Sequence, residues 1–240
     1  MVRFIEVNKK FGKLQVLDNV SIDVEEGIRT AILGPNGSGK TTLIKTLLGM
    51  VIPDSGEVLF KGESVLGKYK YRREIVYMPQ IALFPQNLTV KELLDLIPKL
   101  RMQPAKYDGL IERFGVNEFM HKKMNALSGG MRQKVNLVLA FMFDVPLIIL
   151  DEPTNGLDPV AVLELKKLLR EEEEKGRTII FTSHIMDFVQ QMADRIVFLL
   201  EGVVKFKGTV EEILQETDST SLEEAVASLI LKSQKVHNYA

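Results

Sequence analysis

The segment Gly34-Pro35-Asn36-Gly37-Ser38-Gly39-Lys40-Thr41-Thr42 fits the pattern G-x-x-x-x-G-K-S/T and decides the interpretation of the whole chain. An apolar run ending at Leu33 precedes it and predicts a strand, and apolar residues at helical spacing follow it. Glycines let backbone amides come close to phosphate oxygens, and the positive end of the following helix attracts the same anion. The segment therefore predicts a phosphate-binding loop, in which Lys40 reaches the β- and γ-phosphates and the Thr41 hydroxyl binds Mg²⁺.

Composition restricts the class of protein. The 240 residues are 45% apolar, enough for a real core in one domain or in one domain with a subdomain. The 31 basic and 32 acidic side chains nearly cancel, which argues against a dedicated nucleic-acid surface. The absence of cysteine excludes disulfides and thiolate metal sites. No run of about 18 apolar residues and no basic-then-apolar leader is present, so we expect neither a membrane span nor secretion.

Apolar periodicity predicts an α/β fold. Short alternating runs before residue 25 predict half-buried antiparallel strands. Uninterrupted apolar runs at Leu147 to Leu150 and at Thr178 to Thr182 predict strands buried on both faces, as in a parallel sheet. The predicted fold class is thus α/β, with a mainly parallel core sheet and an antiparallel β subdomain.

Helical signals dominate the middle of the chain. A capping box, Thr89-x-x-Glu92, starts one helix, and Ser128 starts another. Two further capping boxes, beginning at Thr209 and Ser221, predict helices near the C-terminus. The predicted domains are an α/β core at residues 1–80 and 145–214, an inserted helical subdomain at 81–144 and a C-terminal helical tail at 215–240.

Two adjacent carboxylates end the first buried strand. Triphosphate hydrolysis needs a carboxylate that holds Mg²⁺ and a group that activates the attacking water. Because neighbouring strand residues point to opposite faces, Asp151 is predicted to serve the metal and Glu152 to be the base. An acidic turn favoured by Pro153 is the alternative.

The stretch Leu127 to Met131 has an unusual helix start. Ser128 can cap the helix, but Gly129 and Gly130 weaken a first turn by up to about 1 kcal/mol each relative to alanine. Bare amides at a helix N-terminus bind anions. One nucleotide loop and a second anion-binding helix start together predict a phosphate held between two copies of the chain.

With these motifs in order, residues 2 to 210 resemble the ATP-binding cassette of an ABC transporter, whose core is of the P-loop NTPase type. The resemblance implies ATP and Mg²⁺ as cofactors and assigns a role to each motif residue. Phe11 corresponds to the adenine-stacking aromatic, the segment from Gly34 through Thr42 is the counterpart of the Walker A loop, and Gln80 matches the Mg²⁺-sensing glutamine. Ser128, Gly129 and Gly130 match the signature that meets ATP on the opposite subunit. Asp151 matches the Walker B aspartate, Glu152 the catalytic glutamate, Asp158 the D-loop and His184 the switch histidine.

Several assignments leave alternatives open. Phe11, placed in a turn by the sequence, could fill the core instead of stacking on a base. His184 could simply cap the helix that follows it. The uncharged loop Ile81 to Pro85 after Gln80 could dock on a permease through Phe84 or fold into the core. Met131 also departs from the glutamine that most family members have.

The resemblance further implies partners and location. It predicts a homodimer or pseudo-symmetric cassette dimer, a separate integral membrane permease and no nucleic acid. The protein would lie in the cytoplasm, peripheral on the inner face of the cell membrane through that permease. A non-transport cassette acting on nucleic acid or ribosomes, and a small-molecule kinase, are the competing interpretations. The sequence leaves the substrate and direction of transport open, although Pro153 to Pro159 and Ser221 to Ala225 resemble export-type cassettes.

Overall fold

A computed structural model describes residues 1–237 of the chain. Ten strands and eight α-helices lie in this range, together with short 3-10 turns. The strands are β1 (Val2–Phe11), β2 (Leu14–Val24), β3 (Arg29–Leu33), β4 (Ser55–Phe60), β5 (Glu63–Ser64), β6 (Ile75–Met78), β7 (Leu147–Asp151), β8 (Thr178–Thr182), β9 (Arg195–Leu200) and β10 (Val203–Gly208). The helices are α1 (Lys40–Leu47), α2 (Val90–Arg101), α3 (Asp108–Arg113), α4 (Gly129–Phe141), α5 (Pro159–Glu174), α6 (Met186–Met192), α7 (Val210–Thr217) and α8 (Leu222–His237).

The chain divides into two compact units, and the boundary between them falls within β8. The first unit comprises Met1–Tyr71 and the chain from Ile180 onward, and the second comprises Arg72–Ile179. The predicted core, insert and tail at residues 1–80 with 145–214, 81–144 and 215–240 remain a prediction. Residues 238–240 of that tail lie outside the described residues.

The first unit contains an antiparallel sheet with the strand order β2-β1-β4-β5. β1 pairs with β2 from Val2↔Val24 to Phe11↔Leu14, so the predicted antiparallel strands are confirmed. The strand is longer than predicted, since Phe11 ends β1 and does not lie in the turn. Polar side chains near this end of β1 hide the apolar alternation that would have indicated a strand.

A second sheet region in the first unit carries the glycine-rich loop. β3 pairs in parallel with β9, and β10 pairs antiparallel with β9. The two-residue turn between β9 and β10 uses Glu201 and Gly202, both with positive φ, which matches the twist of a tight hairpin. β9 and β10 therefore form a tight hairpin.

In the second unit, β6 and β7 pair in parallel, and β7 is buried along its whole length. Together with β3 and β9, this pairing confirms the mainly parallel sheet and the α/β class. All elements between residues 81 and 144 are helical. Arg101, at the end of α2, donates hydrogen bonds to the carbonyls of Arg73 and Ile75. Its guanidinium also lies 4.4 Å from the ring centroid of Phe143.

Side-chain caps fix most helix starts where the sequence predicts them. Thr89 and Thr209 each form a complete capping box, and Asp158 accepts a hydrogen bond from the amide of Ala161 at the start of α5. The box predicted at Ser221 is different. Ser221 Oγ accepts from the amide of Glu224, but the Glu224 carboxylate accepts from the amide and hydroxyl of Thr220.

One ion pair joins the starts of β3 and β9 in the first unit. Arg29 Nη2 lies 2.8 Å from Asp194 Oδ1, and Arg29 Nε and the Arg29 amide both donate to Asp194 Oδ2. Burial raises the pKa of Asp194, but the hydrogen bonds and charge of Arg29 outweigh that effect and hold the pKa below its ordinary value of 3.8.

Replacing Asp194 with Asn should destabilise the fold by about 1–3 kcal/mol, because Arg29 would keep its charge in a partly buried position. Since the folded pKa of Asp194 is the lower one, its stabilisation is fully present above pH 3.8 and is lost as the pH falls through the folded value. Chemical denaturation of the wild type and Asp194→Asn across this pH range tests both statements.

The matched control is Asp23→Asn, which removes an ion pair to Arg3 whose side chains are 61% and 62% exposed. That change should cost only about 0–1 kcal/mol. Equal losses from both substitutions would show that partial burial adds nothing to the pair at Asp194.

Candidate functional site

The glycine-rich loop connects β3 to α1 in the first unit. Lys40 is the first residue of α1, and its buried side chain crosses back over the loop. Lys40 Nζ donates to the carbonyl of Gly34 at 2.7 Å and to that of Pro35 at 3.0 Å. The cationic head is therefore held against the loop backbone, while Asn36 and Gly37 are exposed.

Close backbone packing requires the first glycine of the loop. A Cβ at Gly34 would collide with the carbonyl oxygen of Leu199 and lie 2.6 Å from Ser38 Oγ, and the φ of Gly34 is +147°. Gly37 also has a positive φ, +81°, but a Cβ there would meet no atom within 4 Å. The Gly34 side of the loop therefore packs against β9, and the side with Gly37 faces solvent.

This loop fits a phosphate group. Ser38 is almost fully buried, and within residues 1–237 its hydroxyl has no hydrogen-bond partner. A buried hydroxyl is normally hydrogen-bonded, so a polar group at this position would satisfy it. Thr41 and Thr42 follow Lys40 in the first turn of α1, where backbone amides favour anions.

Phe11 and His184 also belong to the first unit. Phe11 is 51% exposed and carries Lys9 Nζ 5.4 Å from its ring centroid, so the core-filling alternative is wrong. His184 is exposed at the carboxyl end of β8. The N-cap position of α6 is Ile185, one residue after His184.

In the second unit, β7 delivers the predicted carboxylates. Asp151 is the last residue of the strand and is buried. Tyr77 of the neighbouring β6 lies with its hydroxyl 3.4 Å from Asp151 Oδ2. Burial raises the pKa of Tyr77, and the negative charge of Asp151 raises it further, so Tyr77 stays a neutral donor toward this carboxylate.

Glu152 differs from its predicted backbone position. It lies one residue beyond the strand and has a φ of +53°, in the left-handed region. This backbone conformation costs a residue with a Cβ about 1–2 kcal/mol. The argument that strand alternation separates Asp151 from Glu152 is therefore wrong, because the backbone conformation of Glu152 sets its direction.

The predicted signature forms the start of α4. Ser128 Oγ accepts a hydrogen bond from the amide of Met131, and Ser128 and Gly129 are exposed. Gly130 packs on the loop after β7, where a Cβ would lie 2.7 Å from the carbonyl oxygen of Gly156. The glycines thus leave the helix N-terminus open on one side and allow close backbone packing on the other.

Asp158 links the end of this loop to α4. Besides capping α5, it forms an ion pair with Lys134 of α4, with Nζ and Oδ2 2.7 Å apart. The hydrogen bond from Lys134 and that from the Ala161 amide hold the pKa of Asp158 below its usual range. Asp158 is therefore anionic at neutral pH and tied to two helices.

Comparison with known proteins gives the family. The ABC transporter family model matches residues 17–155, which is more than half of the chain. The chain belongs to the ABC transporter family. A second model, described as an AAA domain, putative AbiEii toxin, Type IV TA system, matches only residues 122–189.

Relatives of this ABC cassette agree with that assignment. The Lantibiotic transport ATP-binding protein SrtF of Streptococcus pyogenes is 31% identical over 208 residues, which cover 85% of this chain and 89% of SrtF. A solved structure of an ATP-binding subunit of an ABC transporter superposes with a TM-score of 0.89 and 30% identity, covering 96% of this chain and 99% of that one.

A dimeric structure of the ATP-binding cassette MJ0796, in a post-hydrolysis state bound to ADP and Pi, is also similar. It superposes with a TM-score of 0.77 and 27% identity, covering 88% of this chain and 99% of that one. These similarities confirm the recognised family and its ATPase fold. In the ABC cassette described here, no helix within residues 1–237 has the length and apolar character that a membrane crossing requires.

Gln80 and the loop after it follow β6 in the second unit of the cassette. Gln80 is exposed. In the uncharged segment, Leu83 is 92% exposed and Ile81 is 75% exposed, whereas Phe84 is half-buried. Leu83 is therefore better placed than Phe84 to contact another protein.

Several polar residues outside the sequence motifs contact the motifs of the cassette. Tyr77 faces Asp151, Gln133 contacts the loop after β7, and Asn136 Nδ2 donates to the carbonyl of Pro79, next to Gln80. Gln133 and Asn136 are buried on α4, three positions apart. Polar residues on an otherwise apolar helix face were the available signal.

A cavity of about 950 Å³ also lies in the second unit, but none of the predicted site residues lines it. Several of its charged wall residues pair with one another. Arg113 binds Glu171, and Arg177 binds both Asp144 and Glu172. This cavity is therefore not the predicted nucleotide site.

Gly34→Ala should abolish ATP binding and lower thermal stability, because the new methyl group would collide with the Leu199 carbonyl. Gly37→Ala is the matched control in the same loop: it adds a Cβ in open space and pays only the conformational cost, about 1–2 kcal/mol. Thermal unfolding and equilibrium ATP binding of both variants provide the measurement. Similar losses in the two variants would contradict the steric argument.

Proposed function

We propose that the chain is the ATP-hydrolysing subunit of a transporter, that it works as a cassette dimer, and that it drives a separate membrane permease. The observation that carries this proposal is the exposed start of α4, where Ser128 and Gly129 present a helix N-terminus to solvent. A helix start of this kind binds anions. The chain has its own phosphate loop at the start of α1. The anion that would bind at the start of α4 is therefore the phosphate of the nucleotide held by a second copy of the chain.

The nucleotide-binding roles follow the motif residues. We assign Gly34, Pro35, Asn36, Gly37, Ser38, Gly39, Lys40, Thr41 and Thr42 to the phosphates and Phe11 to the adenine ring. The charge of Lys40 and the buried hydroxyl of Ser38 support the first assignment, and the exposed ring of Phe11 supports the second. Ser128, Gly129, Gly130 and Asp158 are assigned to the nucleotide of the partner chain.

Mg²⁺ is assigned to Thr41, Gln80 and Asp151. A hydroxyl, an amide carbonyl and a carboxylate are oxygen donors, which is the ligand chemistry that Mg²⁺ prefers. Mg²⁺ is usually bound through one or two carboxylates, here Asp151, and completes its shell with phosphate and water. When bound, Mg²⁺ would neutralise developing charge on the phosphates.

Catalysis is assigned to Glu152, His184 and Lys40. Glu152 is the base that orients the attacking water, and it lies directly after β7 with its backbone in the left-handed region. Lys40 contributes positive charge to the transferred phosphate. His184, exposed at the end of β8, is assigned to contact the γ-phosphate.

A membrane permease is the proposed partner, and the cassette would then lie on the inner face of the cell membrane. SrtF is named as a transport protein, which favours this interpretation over a cassette that acts on nucleic acid or ribosomes. The exposed apolar side chains of Ile81 and Leu83 support docking next to Gln80. The permease would select the cargo.

Glu152→Gln should lower the rate of ATP hydrolysis by at least about 10²-fold, because an amide is no general base. ATP affinity should remain within about twofold, so the ATP-bound dimer should accumulate in size-exclusion chromatography with light scattering. In the wild type, activity per chain should rise with protein concentration, since each active site needs two copies.

Glu174→Gln is the control for this change, because it makes the same chemical substitution at an exposed residue near the end of α5. It should hydrolyse ATP like the wild type. Normal turnover by Glu152→Gln would refute the role of the base. Activity per chain that is independent of concentration, in a sample shown to be monomeric, would refute the composite sites.

Leu83→Ser should weaken binding of the proposed membrane permease by about thirtyfold, a typical loss for a central apolar anchor of about 2 kcal/mol. Hydrolysis by the isolated cassette should stay within about twofold. Leu231→Ser, an exposed leucine on α8, is the control and should bind the permease normally. Unchanged permease binding by Leu83→Ser would place the docking surface elsewhere.

A further inference from the structure

The backbone of Glu152 needs external support. Its left-handed conformation is unusual for a residue with a Cβ, and it begins immediately after the regular hydrogen bonding of β7 ends. The direction of the Glu152 side chain depends on this one backbone conformation. A change in the backbone here would therefore move the carboxylate even if every other residue stayed in place.

Gln133 supplies support from α4. Its side-chain amide donates to the carbonyl of Glu152 at 3.3 Å and to the carbonyl of Pro153 at 3.1 Å. Gln133 is 8% exposed, so these hydrogen bonds are shielded from water. Both carbonyl groups are hydrogen-bond acceptors, so only the NH₂ end of the Gln133 amide can donate to them.

The loop after β7 is also held by a hydrogen bond within itself and by two further contacts with α4. The Glu152 carbonyl also accepts from the amide of Asn155 at 3.2 Å, which closes a turn. Gly156 packs against Gly130, and the ion pair between Asp158 and Lys134 holds the far end of the loop. The first two turns of α4 thus contact the loop at its beginning, middle and end.

We propose that Gln133 is a positioning residue for ATP hydrolysis: it holds the backbone of Glu152 in the left-handed conformation and ties the base to the signature helix of the same chain. This inference rests on the proposed role of Glu152. Ser128 to Gly130 begin the helix that carries Gln133, so a shift of that helix start moves the donor that supports Glu152. Contact between the signature and the partner's nucleotide therefore acts on the base within the same chain.

Gln133→Met tests the proposal, because methionine keeps the length and apolar stem of glutamine but lacks the amide donor. The kcat for ATP hydrolysis should fall by at least about tenfold, as expected for a displaced catalytic group, while KM and ATP affinity stay within about twofold. In the nucleotide-free chain, hydrogen–deuterium exchange should become faster at the Asn155 amide and stay unchanged in the second half of α4.

The controls separate positioning from loss of stability. Val138→Ala removes buried apolar atoms from α4, away from the loop, and should lower thermal stability without changing kcat by more than about twofold. Gln133→Ala removes the same donor with less bulk and replaces the methionine variant if that variant does not fold. Since Gln133 acts through Glu152, adding Gln133→Met to Glu152→Gln should change residual hydrolysis by less than about threefold.

Three results would overturn the proposal: unchanged kcat in Gln133→Met, unchanged exchange at Asn155, or a full further loss of activity in the double variant. Normal hydrolysis by Glu152→Gln alone is a different result. It would refute the base assignment, and with it the catalytic meaning of Gln133, while the exchange measurement would still decide whether Gln133 holds the loop.

Discussion

Close contact between the backbone of the phosphate loop and the backbone of β9 is the constraint on which the first unit depends. The phosphate loop lies so near Leu199 of β9 that only a residue without a Cβ fits at Gly34. This contact fixes the path of the chain from β3 into α1 and lets Lys40 reach back over the loop. The parallel pairing of β3 with β9 and the ion pair between Arg29 and Asp194 keep the two strands in the register that the contact requires.

The second unit uses buried polar groups where the first uses glycines. β7 is apolar up to Asp151 and buried along its whole length, so the Asp151 carboxylate lies at the end of a rigid, buried strand. Beyond that point the chain turns sharply, and its carbonyl groups need donors in a region with little water. Gln133 of α4 donates to the carbonyls of Glu152 and Pro153, and Lys134 binds the Asp158 carboxylate at the far end of the loop. Helix α4 is therefore both the carrier of the signature and the support of the loop after β7.

Local signals were accurate wherever a short segment decides its own conformation. The capping boxes at Thr89 and Thr209 were predicted correctly because the partner of each threonine lies only three residues away. The Ser221 box was only half right, since a neighbouring threonine competes for the same glutamate. Phe11 was placed in a turn because the polar residues before it hide the strand, whose partners are distant in sequence.

The sequence by itself determined the family, the α/β class and the identity of the motif residues, because glycines, caps and a buried apolar run carry those signals in consecutive positions. It did not determine the left-handed conformation of Glu152, the hydrogen bonds of Gln133 or the exposure of Leu83 beside a half-buried Phe84. These features depend on which distant segment lies against each residue. Only the tertiary structure brings α4 to the loop after β7, so only the structure shows what holds the predicted base.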